Sequence, residues 1–528
     1  MSEFRPVLRL GALKRGNGFQ IIAESSDGYG PFLWPRQAMS TAMDSMILSS
    51  ERVVPGLTAR LTLVMQNSIV SVHGSIEMRT LPSFIIKILT TAAVVLALLG
   101  NPVAAATVKA VATDSFVEFI GTQGHLERED AVWGDPATTW KARLAELGIR
   151  YMRTSIGTSL QARNKAISLY RDHGVRLNVV INPRRSDGTL NPSRISAFVS
   201  FLRDQVGIEK VSSIEGPNEY SATKYEGNSD WAAELRSFQS QLFQQVNSDS
   251  RSAKVPVLAP TIWRRIVSDY NELGSLSGSS DNGNLHYYNG GRKPSMYKLE
   301  RYFGDDVGVE SSMNLAISNA KITKPRSPIF VTETGYNIQG AYPSEGRITE
   351  RVAAKYVLRL VSEFFLRRSN VRKAYIYSLV DASADRQHGL LRRDLSRRPA
   401  FYAVKNAISL LSDKGPAFAT GSLTYSLSGD LTGVRHAVLQ KRDKRFYMMI
   451  WNDAVSWDLT RLVELNPPAR QLTLDISQHA FKTMKIYRPT ALDVADPNRG
   501  VLPVRTINAP RSVGLSVPDH VLIVEMIP

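Results

Sequence analysis

From about residue 107 to residue 411, short apolar runs alternate with longer amphipathic stretches. The short runs are rich in β-branched residues and end at turn residues, which predicts strands. Apolar residues recur every three or four positions in the longer stretches, which predicts helices with one buried face. The predicted strands are 116–121, 149–153, 175–181, 210–216, 255–259, 283–287, 327–333 and 371–378, and the clearest predicted helices are 138–147, 193–204, 231–246, 349–367 and Pro399–Leu411.

Strands that alternate with helices form βαβ units and a parallel sheet. Eight such units predict that residues 107–415 form an α/β domain, a (β/α)8 TIM barrel, whose usual size is ~250 residues. The alternative is an open doubly wound sheet, but no G-x-G-x-x-G or Walker phosphate loop follows an early strand.

The pattern changes after about residue 415. Short alternating runs at 422–427, 434–440, 446–451, 470–474, 484–488 and 521–526 are separated by Gly, Asp, Asn and Pro. No long helical pattern intervenes. Residues 416–528 are therefore predicted to form a small antiparallel β-sandwich.

A different pattern precedes the barrel. Residues 88–99 consist only of Ile, Leu, Val, Ala and Thr, with Arg79 and Lys87 before them and small residues after Pro102. A positive start, a short apolar core and an A-x-A-like end are typical of a secretory signal peptide, here residues 78–106. The apolar run at 88–99 is shorter than a membrane span, which usually needs ~20 apolar residues. We therefore predict a secreted or periplasmic protein, with an uncleaved membrane anchor at 85–105 as the alternative.

Residues 1–77 show no sustained hydrophobic period and predict no element. Because a signal peptide should begin a protein, we interpret them as an over-extended start ahead of Met78. Mass spectrometry of the native N-terminus would test this interpretation.

Composition narrows the function classes. The chain has 528 residues, of which 43% are hydrophobic and 21% charged, as in ordinary globular proteins. It has no cysteine, which excludes disulfides, thiol nucleophiles and cysteine-ligated metal sites. The formal net charge is +17, and residues 107–528 keep 56 basic against 42 acidic residues. This excess is compatible with a polyanionic partner, for which an acidic polysaccharide is favoured over nucleic acid, since no RNA-binding pattern is present.

Two glutamates stand where the fourth and seventh predicted strands end. The fourth strand leads into Gly216-Pro217-Asn218-Glu219, and the seventh ends in Thr332-Glu333-Thr334-Gly335. Chemistry in a barrel takes place at the carboxyl ends of its strands. Two carboxylates that face one cleft are the minimum equipment for glycoside hydrolysis, in which one protonates the leaving oxygen and the other attacks or activates water.

At these motifs the chain resembles clan A retaining glycoside hydrolases, particularly those of families 5 and 39. Further matches are His125 after the first strand, Arg153 at the end of the second, His286-Tyr287-Tyr288 after the sixth, and the closing segment 375–402. The resemblance covers about residues 114–410. It implies a (β/α)8 barrel, retention of configuration and no requirement for a metal or other cofactor.

The resemblance also implies roles for individual residues. Glu219 would act as acid and then as base, and Glu333 would be the nucleophile. Asn218 would bind the sugar's 2-hydroxyl. Arg153 and Tyr288 would hold Glu333 ionised, since a cation and hydrogen bonds favour the charged carboxylate.

Other residues are expected to contact the sugar. His125 and His286 would line the first subsite. Trp263 and Tyr336 follow predicted strands and could stack on sugar faces. The clan often has Trp at the end of the eighth strand, whereas Tyr377 stands there in this chain, so the floor of the first subsite differs from the family pattern.

Some charged residues have competing interpretations. Glu215 lies four residues before Glu219 and is expected to pair with an arginine for structure. The cluster Arg392-Arg393 and Arg397-Arg398 is either a solvated loop or a contact for carboxylates of an acidic polysaccharide.

The leading interpretation is an exported, monomeric, retaining β-glycoside hydrolase acting on a polysaccharide or oligosaccharide, with acidic polymers among the candidate substrates. A non-catalytic carbohydrate-binding barrel and a transglycosylase are the alternatives. Both catalytic glutamates argue against the first alternative, and no feature of the sequence separates the second from hydrolysis.

Overall fold

The protein is described from a computed structural model. It covers residues 105–134, 140–298, 310–338, 346–383, 386–490 and 499–528, together with the backbone of five strands between residues 8 and 76. The chain divides into two units, Met1–Asn101 and Pro102–Pro528. Residues 77–104, which hold nearly all of the predicted signal peptide, lie outside the described residues, so export stays a prediction.

The first unit has an antiparallel sheet where the sequence pattern predicts no element. Its order, numbering the five strands along the chain, is second, first, third, fourth, fifth. The strands are Leu8–Arg15, Gly18–Glu24, Met46–Arg52, Leu57–Met65 and Ser68–Ile76.

The second unit contains an eight-stranded parallel barrel, as predicted. The strand order is β5-β4-β3-β2-β1-β8-β7-β6, and a parallel bridge between Leu258 and Asn282 links β5 to the start of β6. The strands are β1 Ile120–Gln123, β2 Tyr151–Ser155, β3 Arg176–Val180, β4 Val211–Glu215, β5 Val257–Leu258, β6 Gly283–Tyr288, β7 Ile329–Gly335 and β8 Val371–Ile376.

One helix precedes β1, and a helix follows each strand. The helices are α1 Asp114–Phe119, α2 Trp140–Leu147, α3 Leu160–His173, α4 Ile195–Ser200, α5 Trp231–Asn247, α6 Val267–Leu273, α7 Met313–Ala320, α8 Glu350–Leu366 and α9 Pro399–Leu411. Local signals set their ends: the hydroxyls of Ser159 and Thr349 cap α3 and α8, and Gly174 ends α3 in the left-handed conformation. None of the described helices is long and apolar enough to cross a bilayer.

The first predicted strand is the main error in the barrel. Residues 116–121 have β-branched and aromatic character, but the structure has α1 up to Phe119 and begins β1 only at Ile120. Phe116, Val117 and Phe119 are buried in the barrel core. Burial of these apolar side chains therefore decides the local structure, not strand propensity.

Residues beyond the barrel form two antiparallel sheets, as predicted. One has the order β15-β12-β9 and ends with Ala106–Lys109; the other has the order β14-β13-β16-β11-β10 and ends with Val111–Ala112, which runs parallel to β10. The strands are β9 Ser422–Gly429, β10 Val434–Gln440, β11 Phe446–Asn452, β12 Arg470–Asp475, β13 Thr483–Tyr487, β14 Pro503–Asn508, β15 Ser512–Val517 and β16 Leu522–Ile527. The two sheets enclose a second hydrophobic core.

Helix α8 joins the barrel to these sheets. Every residue from Val352 to Phe365 is buried, which requires partners on both of its sides. On the sandwich side, Lys355 binds Asp519 at 2.7 Å and Arg359 binds Asp453 at 2.7 Å. The barrel and the sandwich therefore share one packed interface along this helix.

Candidate active site

The two predicted glutamates meet at the carboxyl end of the barrel. Glu219 lies four residues beyond the end of β4, and Glu333 lies within β7. One side-chain oxygen of each lies within 4.8 Å of the other and of a ring nitrogen of His286. Glu219 has a left-handed backbone conformation, with φ 47° and ψ 35°, and its N–H donates to the hydroxyl of Thr261 at 3.1 Å. Such a conformation is rare for a residue other than glycine, and it is common at functional sites.

The guanidinium of Arg153, on β2, contacts side chains at the ends of β1, β4, β6 and β7. Its guanidinium binds both oxygens of Glu215, at 2.6 and 2.9 Å, and donates to Glu333 at 2.5 Å. It also donates to Asn218 at 2.8 Å and to Gln123 at 2.9 Å. Arg153 is 2% exposed and Glu215 is fully buried. Glu215 is therefore the structural partner of Arg153, and the same arginine orients both Glu333 and Asn218.

Glu333 is held in its ionised form. The hydroxyl of Tyr288 donates to its second oxygen at 2.7 Å. Burial alone raises the pKa of Glu333, but the positive charge of Arg153, the imidazole of His286 and the hydrogen bonds from Tyr288 and Arg153 outweigh it, so the pKa lies below its usual range. Burial and the charge of Glu333 keep the pKa of Tyr288 far above its usual range. Tyr288 is thus a permanent donor to an ionised carboxylate.

His286 connects the two glutamates. Its Nδ1 lies 2.7 Å from Glu219 and 3.6 Å from Glu333, and its Nε2 lies 3.3 Å from Arg153. Because Nδ1 faces the carboxylate of Glu219, we place a ring proton on this nitrogen. His286 therefore donates to Glu219, while the register between β6 and β7 places it opposite Glu333.

A wall of three aromatic rings stands beside Glu333. Tyr377 follows β8, and its ring lies edge-on to Tyr288 at 6.1 Å and to His388 at 5.5 Å; His388 lies 5.8 Å from Tyr288. Burial and the charge of Glu333 raise the pKa of Tyr377 to about 12. Tyr377 is therefore un-ionised at neutral pH, and it lies directly after β8 beside Glu333.

Sequence reasoning missed His388. Its Nδ1 is buried and makes no hydrogen bond within the described part of the chain. Burial lowers the pKa of its imidazole to about 4, so the ring is neutral at neutral pH and can offer one donor and one acceptor. A single histidine in a loop after β8 has no local signal, because its role comes from the rings that pack around it.

His125 also reaches the rim of the barrel. It follows β1, is 9% exposed, and its Nδ1 lies 3.0 Å from Glu127. Its Nε2 is buried without a hydrogen-bond partner among the described residues. The ring lies edge-on to Trp133 at 5.8 Å. This arrangement leaves one imidazole nitrogen for a ligand.

The two predicted stacking residues differ in accessibility. Trp263 follows β5 and is half-buried beside Tyr225, with ring centroids 5.5 Å apart. Tyr336 is only 3% exposed, its hydroxyl donates to a backbone carbonyl, and its ring packs against Tyr356 of α8. Tyr336 is therefore a core residue with no free face for a sugar, and the expectation that it stacks on one is corrected.

Most of the arginine cluster after β8 is already paired. Arg392 and Arg398 both bind Glu350, at 2.6 and 3.0 Å, and Arg397 binds Glu146 at 2.6 Å. These pairs tie the loop after β8 to α8 and α2. At these three residues the cluster is therefore neither a solvated loop nor a set of free charges for an acidic polysaccharide, because the ion pairs hold it against the barrel.

The side-chain atoms of Glu219, His286 and Glu333 are close enough together to ligate one cation. Both oxygens of Glu333, however, already accept hydrogen bonds from Arg153 and Tyr288. A cation would have to displace these donors and approach a buried guanidinium. We therefore assign no metal to the site, and the arrangement matches a hydrogen-bonded pair of carboxylates.

Comparison with known proteins gives relatives in structure alone. No protein-family model matches the sequence, and no curated protein matches it. The placement near families 5 and 39 therefore stays a prediction.

Solved structures of glycoside hydrolases share the fold. The GH51 α-L-arabinofuranosidase from Thermotoga petrophila RKU-1 has a TM-score of 0.51 at 9% identity, over 80% of this chain and 98% of that one. A further arabinofuranosidase structure has a TM-score of 0.51 at 11% identity, over 81% and 99%. The β-glucuronidase 2 of Bacteroides uniformis has a TM-score of 0.41 at 10% identity. The match covers 97% of this chain and 53% of the β-glucuronidase, so this chain spans about half the length of that protein. The chain therefore shares its barrel-and-sandwich fold with these two arabinofuranosidases.

Proposed function

We propose that this protein is a retaining glycoside hydrolase that acts on a polysaccharide or oligosaccharide. The observation that carries the proposal is the pair of glutamates after β4 and in β7, whose nearest side-chain oxygens lie within 4.8 Å. Retaining enzymes hold their carboxyl groups ~5–5.5 Å apart, whereas inverting enzymes separate them by ~6.5–9.5 Å to admit a water molecule. The short separation favours double displacement.

In the first step Glu333 attacks the anomeric carbon. The bond from that carbon to the leaving oxygen breaks, and its electron pair stays on the oxygen, which takes the proton of Glu219. A covalent ester between Glu333 and the sugar results. Glu333 suits this role because Arg153 and Tyr288 keep it ionised and oriented.

In the second step Glu219, now a carboxylate, takes a proton from water. The oxygen of that water attacks the anomeric carbon, the ester bond breaks, and Glu333 regains its charge. Two inversions leave the configuration of the sugar unchanged. His286 holds the reacting oxygen of Glu219 in both steps, and Asn218 is placed by Arg153 to bind the sugar's 2-hydroxyl.

Replacement of the nucleophile tests the proposal. Glu333→Gln keeps the size of the side chain and removes its charge, so kcat should fall by about a thousandfold or more, as expected when a covalent nucleophile is lost. Turnover of a glycan panel and circular dichroism are the measurements, and Glu226→Gln, on an exposed residue, is the matched control. Activity retained by folded Glu333→Gln would overturn the assignment.

Replacement of the acid/base separates its role from that of the nucleophile. Glu219→Ala removes the proton donor, so it should slow natural glycosides far more than aryl glycosides whose leaving group needs no proton. Kinetics on both substrate classes measure this ratio. Equal losses on both would contradict an acid role, and proton NMR showing an inverted first product would contradict double displacement. Products longer than the substrate would assign sugar transfer in place of hydrolysis.

A further inference from the structure

A cavity of about 500 Å³ lies in the sandwich, on residues that the proposed reaction does not use. Three segments surround it: 418–421 ahead of β9, 440–446 across the turn from β10 to β11, and 479–481 ahead of β13. Ligand pockets span ~300–1,000 Å³, so the cavity is large enough for one or two sugar residues.

The floor of the cavity is aromatic. The rings of Phe446 and Phe481 lie 6.2 Å apart, and His479 lies 5.4 Å from Phe481 at an interplanar angle of 31°. Phe446 and Phe481 are 8% and 6% exposed, so they form a recessed surface and not a flat outer platform. Phe418 is half-buried at the rim, with the guanidinium of Arg442 6.0 Å from its ring centroid. Aromatic surface of this kind suits the apolar face of a sugar ring.

The rim of the cavity is positively charged. Lys441 and Lys444 line it, and neither forms an ion pair with any described residue. The neighbouring Arg445, by contrast, is paired with Glu525 at 3.0 Å. The ammonium of Lys441 is half-buried, 5.1 Å from the ring of Tyr447, and burial lowers its pKa. The carboxylates of Asp413, Asp443 and Glu525 act on it from outside the lining and offset this effect in part. A carboxylate bound in the cavity would add a charge-assisted hydrogen bond to the ammonium.

No acidic side chain lines the cavity within the described residues. Arg442, the third cation of the lining, lies 3.7 Å from Asp413, which is not a lining residue. The cavity therefore combines an aromatic floor with two ammonium groups outside ion pairs, whereas Arg392, Arg397 and Arg398 after β8 are held in ion pairs.

We propose that this cavity is a second carbohydrate-binding site, which takes a carboxylate-bearing sugar residue of a polysaccharide. The sugar's apolar face would lie on the Phe446 and Phe481 floor, and its carboxylate would meet Lys441 and Lys444. The choice of a carbohydrate rests on the proposed function. A recessed floor also favours a single sugar over nucleic acid, since bases stack on exposed aromatic faces. By holding the polymer on the sandwich, the site would raise the local concentration of cleavable bonds at the barrel.

The test measures binding on the full chain with Glu333→Gln, so that the polymer is not consumed. Affinity electrophoresis and calorimetry would use polygalacturonate, alginate and neutral dextran. Lys441→Gln with Lys444→Gln should weaken binding of an acidic polymer by about tenfold or more, since each ammonium loses a charge-assisted hydrogen bond. The control pair Lys254→Gln with Arg326→Gln removes the same charge from the exposed surface of the barrel, and it should change the affinity by less than twofold.

Phe418→Ala distinguishes a built site from general polyanion binding, because it leaves every charge in place. It should weaken the binding of polygalacturonate or alginate several-fold and leave the binding of a DNA duplex unchanged. The proposal is overturned if the Glu333→Gln protein with an unchanged cavity binds neither acidic polymer. It is also overturned if the control pair weakens binding as much as the lysine pair, or if a DNA duplex displaces the acidic polymer as well as that polymer displaces itself. Failure of the proposed function is measured separately, by comparing the turnover of the glycan panel by the wild type and by Glu333→Gln.

Discussion

The ionisation of Glu333 depends on side chains that reach it from different strands. Burial works against its charge, and Arg153 from β2 with His286 and Tyr288 from β6 reverses that effect. Glu215 takes two of the guanidinium hydrogen bonds of Arg153, so the arginine is shared between this buried acid and Glu333. Glu333 is thus kept ionised by a network and not by one dedicated partner.

The hydroxyl of Tyr288 gives a direct handle on this network. Tyr288→Phe removes one hydrogen bond to Glu333 and leaves the ring in place, so the pKa of Glu333 should rise. As the proposed nucleophile, Glu333 reacts only when ionised, so activity is present above this pKa and is lost as the pH falls through it. The acid limb of kcat/KM should therefore move to higher pH, with a loss of about tenfold to a hundredfold on that limb, as expected when a hydrogen bond to a charged group is lost.

Rate profiles from pH 3 to pH 8 for the wild type and Tyr288→Phe are the measurement. Tyr170→Phe, on the outer helix α3, is the control for a lost tyrosine hydroxyl. An acid limb that stays in place in Tyr288→Phe would contradict the role of this hydroxyl.

At the scale of elements, the sequence predicts those strands that alternate with helices or with turns. Helix α9 begins and ends as predicted, since Pro399 starts it and apolar residues recur along one face. Strand β14 has no such signal: five of its six residues are exposed and it lies at the edge of its sheet. Its pairing with β13 comes from tertiary context alone.

The candidate site shows the same contrast between residues with a local sequence signal and residues whose surroundings come from tertiary packing. Glu219 and Glu333 could be placed at the carboxyl end of the barrel because a recognisable motif puts one shortly after a clear strand and the other near the end of a clear strand. The core position of Tyr336 and the role of His388 could not, because both depend on which rings pack against them. Periodicity places a residue on an element, and only packing decides whether its face is free.

Asp453 links the sandwich to helix α8 and to the loop after β6. It follows β11 and binds Arg359 of α8 at 2.7 Å, and it also binds Lys293 and Ser295, which lie in the loop after β6, at 3.0 and 2.6 Å. Asp453→Ala leaves Arg359 buried with no carboxylate, so unfolding should become easier by about 3–5 kcal/mol. Urea unfolding measures this loss.

Asp443→Ala is the matched control, because Asp443 is exposed and, within the part of the chain that the structure describes, forms an ion pair with Arg445 alone. It should change the free energy of unfolding by about 0–1 kcal/mol. If Asp453→Ala is no less stable than Asp443→Ala, the link between α8, the sandwich and the β6 loop is energetically unimportant.

At the scale of the whole second unit, the barrel and the sandwich share a hydrophobic core. Tyr447, Met449 and Trp451 of β11 belong to the same buried cluster as the barrel helices, and the indole of Trp451 donates to Glu363 of α8 at 3.0 Å. The segment before α1 also pairs with β9 and β10. The chain therefore enters the barrel from the sandwich and returns to it.

This interleaving predicts that the barrel does not fold alone. A fragment of residues 102–415 would expose the outer face of α8, where Lys355 and Arg359 lose their partners, and would leave Ala106–Lys109 unpaired. We expect no cooperative thermal transition from this fragment, whereas residues 102–528 should unfold in a single transition. Calorimetry of both proteins measures this difference. A fragment that unfolds cooperatively near the midpoint of the longer protein would show that the sandwich is an accessory, and a stable fragment without turnover would assign the sandwich to holding the β6 loop.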